Sequence, residues 1–505
     1  MIKLIYRIES DYMSKKRMLI VTSVTLSVVT ISLGIVKLYQ TYALSNYIGT
    51  VTDTGIDVYI NDDSYASIPA NGSSNVYYML TNTNPGTVKY GVAYQTTSGV
   101  TVKVYDTSED PATGTIEEND KKYIKLHLEN KNSTNKTIEL STVLGYENGG
   151  DLVVPSGVTL VTDTYTPPPT AAEYITKLYT TASKTTVTNN SITYNTAPSV
   201  SLMNDRLGGT TTDLDGGNIR YYGANPNNYI YFNCSDYSNQ TSSTCETWRI
   251  IGVFDGKLKL IRGSQIGTYS WDNKDTSTGA ESNFGKNDWT TARLMKLLNP
   301  SDYYTTDSND NNLGQGLYYN SASGKCYSGQ NNATVDCNFT STGIKNDITR
   351  NMIAETTYNL GGWNSNTVYP NLMYEKERGT TVYTGRPTTP WTGKIALAYT
   401  SDYGYAADLN QCKDKTLYDY NNSTCTSNNW MKAIITNNGS NTGWLLTPFS
   451  RLSYYAWYVD SDGFVNYYNG ACNASGAVPV LSLSSELGIE SGGDGSSSNP
   501  YKLSA

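Results

Sequence analysis

The sequence predicts a chain in three parts: an N-terminal transmembrane helix, an all-β sandwich, and a C-terminal α+β domain. Three observations predict it. Residues Met18 to Val36 carry no charge. Alternating, strand-like runs recur from about Asn46 to Val161. Beyond Ala197, helical patterns, Trp, Gly and spaced cysteines join the strands. The 505-residue length suits roughly two to four domains.

The first element is MLIVTSVTLSVVTISLGIV, residues 18–36. At about 1.5 Å rise per residue a helix of that length reaches roughly 28 Å, the hydrocarbon core of a bilayer. Lys15, Lys16 and Arg17 precede the run and only Lys37 follows closely. Positive charge stays inside, so residues 1–17 are expected in the cytoplasm and the C-terminal bulk outside the cell. A cleaved signal peptide is the alternative, with Thr41, Tyr42 and Ala43 as a small-residue cleavage site. The expectation is single-pass anchoring in the cell membrane through the N-terminal helix.

The second element is residues 44–163. GIDVYI, NVYYML, KYGVAYQ, VTVKVYD, KYIKLHLEN, KTIELSTVLGY and VTLVTDT are separated by NPG, SGV, ENGG and PSG turns. Alternating runs spaced about ten residues apart predict an antiparallel sandwich of the immunoglobulin-like kind. It contains no cysteine and must rest on core packing alone. Such a module is expected to act as a stalk.

Residues 164–196 read as a Pro-rich linker and short helix. TDTYTPPPT stiffens into polyproline II. AAEYITKLYTTA follows as a helix with Tyr174, Ile175 and Leu178 on one face. Residues 197–490 form the α+β domain. TWRIIGVFDGKLKLIRG is a hairpin turned at Asp255-Gly256, a type I′ signature. NDWTTARLMKLLNP is a helix capped by Asn287 or Asp288 and ended by Pro300. KNDITRNMIAETTYNLGG is a second helix, with Ile344, Ile348 and Met352 in register and Gly361 as its stop. GKIALAYTSDYGYA reads as a strand and turn, and WLLTP, YYAWYVDSDGFVNYY and AVPVLSLSSEL as closing strands. Residues 491–505 are expected to be a polar tail.

The chemistry is bounded by what the chain lacks. Its net charge is -8, with no strong basic patch, so nucleic acid is not an expected partner. One histidine occurs, His127, on an alternating run that reads as a strand. Ser-His-Asp triads, Cys-His pairs and His-rich zinc sites all need imidazole, so no catalytic residue, metal or cofactor is expected. Seven cysteines all lie beyond residue 230. Cys234 with Cys245, Cys326 with Cys337, and Cys412 with Cys425 are near neighbours that would clip polar loops as disulfides. Each would contribute roughly 3 kcal/mol through the unfolded state. Cys472 stands alone. Asp460 with Asp462, and Asp213 with Asp215, read as turn residues beside Gly. TTDSNDNNLGQG has Asp307, Asn309 and Asn311 alternating as in a Ca²⁺ loop. It lacks the central Gly and has Tyr318 where the bidentate Glu belongs. The Asn233 and Asn338 sequons read as accidents of an Asn- and Thr-rich composition.

WLLTP…AWYVDSDGFV…GAVPVLSL resembles the tail of a domain of unknown function in bacterial surface proteins. Trp444, Leu446, Pro448, Ala456, Val459, Gly463, Val465, Gly476, Pro479 and Leu481 carry the resemblance, which spans roughly Ser199 to Leu487. That family is similar to the C-type-lectin-like fold of formylglycine-generating enzymes and of variable proteins made by diversity-generating retroelements. The resemblance implies a C-type-lectin-like α+β head. It implies no formylglycine-generating activity, since Cys472 has no neighbouring partner in its strand region. Ala477 and Val478 stand where many relatives place an arginine.

Between Gly443 and Gly470 aromatic rings crowd together with little charge. Alternation puts Tyr455, Trp457 and Val459 on one face and Tyr454, Ala456 and Tyr458 on the other, with Trp457 and Val459 in the core. Arg451, Tyr454, Tyr455, Tyr458, Tyr467 and Tyr468 are the candidate ligand-binding residues. Tyrosine supplies rigid amphipathic area, and its ring can stack on the apolar C–H face of a sugar. The expected function is a membrane-anchored extracellular binding or adhesion protein presenting a lectin-like head to a glycan or protein. A cell-envelope enzyme acting on polysaccharide, and a purely structural envelope protein, are the alternatives.

Overall fold

A computed structural model describes residues 47–52, 55–59, 65–82, 86–145, 152, 154–273, 284–305, 313–365, 367–383, 386–387 and 390–504. The chain divides into two compact units, Met1–Pro167 and Pro168–Ala505. The expected membrane helix, 18–36, lies outside the described residues. Among those described, no helix is long and apolar enough to cross a membrane. The fold class is therefore corrected to a mostly β chain of several sheets with short helices and no transmembrane element shown.

The first unit holds two sheets over one core. One runs Thr164–Tyr165, Val100–Tyr105, Lys121–Asn130, Gly72–Thr81, Tyr47–Thr52, Gly55–Tyr59. The other runs Val158–Leu160, Val88–Gln95, Lys136–Gly145, Tyr65–Ile68, with Thr113–Ile116 beside Val88–Gln95. Period-two alternation sends Val76, Tyr78, Leu80, Ile124, Leu126 and Leu128 inward from the first sheet. Val88, Tyr90, Val92, Ile138 and Leu140 meet them from the second. His127 points the other way. It is half-buried, hydrogen-bonds Asn75 Oδ1 through Nδ1 at 2.8 Å, and stacks on Tyr165 at 3.6 Å.

The second unit begins earlier than the sequence suggests. Residues 170–197 are not a linker. Thr170 caps the helix Ala171–Thr181 through a reciprocal box with Glu173, and Ile175 and Tyr179 enter the main core. Thr185–Asn189 and Ile192–Ala197 then start a nine-stranded sheet. That sheet continues through Leu202–Asn204, Ile219–Tyr221, Glu246–Phe254, Lys257–Arg262, Val480–Ser482 and Ile395–Ala396, with Tyr229–Phe232 also on Glu246–Phe254. A five-stranded sheet runs Thr268–Ser270, Ala474–Gly476, Gly443–Pro448, Tyr455–Val459, Val465–Gly470.

The inner strands of both sheets are covered on both faces. Consecutive residues go to two different cores: Leu260 and Ile261, Trp444 and Leu445, Ala456 and Trp457, Ala477 and Val478. Every residue of Gly443–Pro448 is consequently buried. Helices Arg293–Leu298 and Ala171–Thr181 pack in one core; Trp430–Ile435 and parts of Pro370–Glu377 and Thr400–Tyr405 pack in the other.

Local expectations fare unevenly. Asp255 and Gly256 both take positive φ, 49° and 72°, as the hairpin turn requires. The first expected helix is only Arg293–Leu298, and all six residues are buried, so it has no stripe. The second is Asp347–Met352, capped by Asn346. Its Ile348 is 55% exposed, and Thr356–Tyr358, with two β-branched threonines, leaves the helix to pair with Trp391–Gly393. Gly361 is not its stop. A Cβ there would lie 2.2 Å from the Lys376 carbonyl, so close backbone approach selects glycine. Residues 491–505 are no free tail: Leu503–Ser504 pairs with Gly488–Ile489, and Tyr501 and Leu503 fill the main core.

Candidate functional site

The cysteines pair as spaced. Cys234–Cys245, Cys326–Cys337 and Cys412–Cys425 form three disulfides across 11, 11 and 13 residues. Bridges of this kind persist in oxidising surroundings, and they indicate an extracellular or secreted protein. Cys472 is a buried free thiol, and burial pushes it up to about 11.

The candidate ring residues separate into two groups. Tyr458 is buried against Trp444, centroids 6.4 Å apart, and Tyr467 stacks on Phe449 at 4.0 Å. Neither is the surface residue expected. Alternation cannot reveal that both faces of a sheet are covered, and here they are. Tyr468 is 63% exposed, Arg451 is exposed, and Tyr454 and Tyr455 are half-buried.

The three tyrosines adjoin one another, and Arg451 acts on the neighbouring Tyr467. Tyr468 neighbours Tyr455 at 6.0 Å, and Tyr455 meets Tyr454 edge-on at 4.7 Å. Phe284, 38% exposed, extends the row at 5.4 Å from Tyr454. Its carbonyl accepts from the Cys472 amide at 2.9 Å. Phe284 was not legible as a site residue, because it comes from a remote segment with no aromatic neighbours. Inward, Tyr468 touches Tyr467 at 4.4 Å, and Tyr467 touches the fully buried Trp457 at 5.3 Å. The exposed rings are thus the outer end of a packed stack and are held rigidly by it.

The loop before Tyr455 is fixed from beneath. Asn287 is buried, and its Nδ2 reaches the carbonyls of Phe449, Leu452 and Tyr455 at 3.0, 2.9 and 2.7 Å. Its own amide donates to Ser453 O at 2.6 Å. The sequence cast Asn287 as a helix cap; the helix starts later and Asn287 serves this loop instead.

Electrostatically the surface is quiet. Burial, and donation to Tyr468, push the Tyr467 phenol up to about 12, which Arg451 partly offsets. Burial also raises Tyr455. Arg451 is the charge that acts on Tyr467. Neutral rings rimmed by Asn469 and Asn473, which bond each other at 2.7 Å, can stack on a pyranose and hydrogen-bond its hydroxyls.

Charged side chains inside the unit are a separate matter that the sequence did not disclose. Arg220 bonds Asp205 at 2.5 Å and Asp402 at 2.7 Å, and Lys259 bonds Asp402 at 2.5 Å. All four are buried, and Phe254 lies under both cations. Burial alone would raise Asp402, but Lys259 and Arg220 outweigh it and hold the carboxyl at about 2. Glu377, raised by burial, accepts from Ser401 and Thr447. Asp272, pushed up to about 6 by burial against the pull of Arg293, accepts from Lys286 N at 2.8 Å. These shifted carboxylates are sealed from solvent, with 0 to 1% exposure.

The remaining sequence candidates are local. Asp460 accepts from Ser461 N within its turn, and Asp215 accepts from Asn195 Nδ2. Asn233 is buried, donating to Gly343 O at 2.7 Å. Asp307, Asn309 and Asn311 lie outside the described residues. Among the described residues no cluster of three His, Cys, Asp or Glu could hold a metal ion. No protein-family model matches the chain, and no curated protein matches it.

Proposed function

We propose that this is an extracellular binding protein without catalytic activity, whose second unit is a lectin-like head that takes a glycan on the surface of Tyr454, Tyr455, Tyr468, Phe284 and Arg451. The observation that carries this reading is the continuous row of rings running from buried Trp457 to exposed Tyr468. A pre-fixed aromatic row loses little side-chain entropy on binding and suits the C–H face of a pyranose. The first unit serves as the stalk.

A glycan array probed with the full chain tests it. Binding to a subset of glycans, lost in Tyr468→Ala and Tyr454→Ala, is the expected result. An array with no bound glycan, or binding unchanged in both variants, refutes it.

A further inference from the structure

Away from the ring surface, the second unit has an open cleft of about 530 Å³ between the strands Glu246–Phe254 and Lys257–Arg262 and the helix Trp430–Ile435. Three ionised side chains line it. Arg262 and Glu246 neutralise each other through a two-pronged pair, Nε to Oε2 at 3.1 Å and Nη2 to Oε1 at 3.3 Å. Arg249 has no such partner. Arg249 is 6% exposed, and its guanidinium forms no ion pair among the described residues.

Every acceptor that Arg249 has is neutral. Nε donates to Asn228 Oδ1, and Nη2 to Asn225 Oδ1 at 3.3 Å and Pro226 O at 3.1 Å. Nη1 has no hydrogen-bond partner among the described residues. Two rings fix the plane: Tyr229, its cross-strand neighbour, lies 3.6 Å from the guanidinium carbon, and Trp430 lies 4.9 Å away. The Trp430 indole is itself pinned by donation to Tyr221 O at 3.0 Å. Burial lowers Arg249 to about 10, which still leaves it cationic at neutral pH.

A buried cation without a counter-charge is costly to hold, and the shape of this one is preserved by five neighbours. We infer that the cleft is a binding site for a carboxylate-bearing saccharide of the uronic-acid class, its carboxylate pairing with Arg249. One uncompensated guanidinium with one open nitrogen suits a single planar carboxylate. A phosphate or sulfate would call for more donors, and the lining includes no lysine and no second unpaired arginine. Ser242, Thr247, Ser264 and Asn438 supply hydroxyl and amide groups for the sugar ring. The cleft volume is in the range usual for small-ligand sites. This site is independent of the ring surface and stands whether or not that surface binds.

The test is titration of the full chain with methyl β-D-glucuronide, methyl β-D-glucoside, N-acetylalanine and inorganic phosphate, followed by ligand-observed NMR. The glucuronide is expected to bind roughly tenfold tighter than the glucoside, a preference that Arg249→Gln abolishes. Ala433 is exposed at the mouth of the cleft, so Ala433→Trp blocks it without disturbing the core and removes glucuronide binding. Tyr468→Ala leaves glucuronide binding unchanged. The inference is overturned by equal affinity for glucuronide and glucoside, or by glucuronide binding that survives Ala433→Trp. N-acetylalanine binding as well as the glucuronide, phosphate displacing it, or no saturable glucuronide binding at all would each overturn it too.

Discussion

Asn287 Nδ2 lies 2.7 Å from the carbonyl oxygen of Tyr455, and this one amide gathers the whole turn that carries the exposed rings. Asn287→Ala takes the amide donor away from the Phe449 and Leu452 carbonyls, while the Tyr455 carbonyl keeps the Phe449 amide at 3.0 Å. It is expected to destabilise the second unit by roughly 2 to 3 kcal/mol and to weaken ligand binding at the rings. Asn287→Asp, equal in shape but lacking the amide donor, is expected to do the same in urea unfolding. Wild-type stability in the Asp variant would show that donation is not what matters.

Two tyrosines ten residues apart are expected to behave oppositely. Tyr458→Ala opens a cavity against Trp444 and costs roughly 3 to 5 kcal/mol. Tyr468→Ala, at 63% exposure, changes stability by no more than about 0.5 kcal/mol and lowers glycan affinity about tenfold. Thermal melts and array titrations separate the two; matching melts would contradict the burial pattern.

Acid stability is expected to depend on Asp402. Its folded carboxyl titrates at about 2, below the value of about 3.9 for an unfolded Asp. The stabilisation is therefore complete above pH ~4 and fades as pH falls toward 2, amounting to about 2 kcal/mol. Asp402→Asn leaves Arg220 and Lys259 under-compensated, and a loss of roughly 3 to 5 kcal/mol at neutral pH is expected. A variant whose melting point equals wild type at pH ~7 would rule out this role.

Asp272 works in the opposite sense. Its folded value of about 6 lies above the unfolded one, so its contribution is full below pH ~4 and declines as pH rises through 6. Asp272→Asn should flatten the stability curve between those limits. A slope unchanged from wild type would mean that the carboxyl is already ionised across that range.

Thiol accessibility gives a further check. With its thiol at about 11 and buried, Cys472 is expected to resist iodoacetamide in the native protein at about pH 8. Denaturation without reductant should expose one reactive thiol, and reduction all seven. More than one label before reduction would mean that a bridge is absent.

What was readable in the sequence was what neighbours decide. Asp255-Gly256 announced its turn because both positions need positive φ. The cysteine pairs were legible because each closes a short polar loop, and the first unit because its alternation is regular. Trp457 and Val459 were placed in the core correctly, whereas Tyr458 and Tyr467 were not. A strand covered on one face and a strand covered on both can carry the same rings. Arg220 and Asp402 stand 182 residues apart, and nothing local marks either as half of a buried pair. The expected helix at 287–300 was too long because apolar spacing there serves burial on all sides, not one stripe, and the one at 345–362 because Thr356–Tyr358 leaves it for a strand pairing.

Gly488 bonds into the seam that closes the second unit. Thr170 bridges it on one side and Ser504 pairs with it on the other. A Cβ at Gly488 would lie 2.3 Å from Ser504 Oγ, so any larger residue there would make the Ser504 hydroxyl turn away. The unit's way in and its way out consequently share a doorstep. Such a fold can be spliced whole into a surface loop of an unrelated host, or cut open elsewhere and rejoined at this point, with neither sheet redrawn.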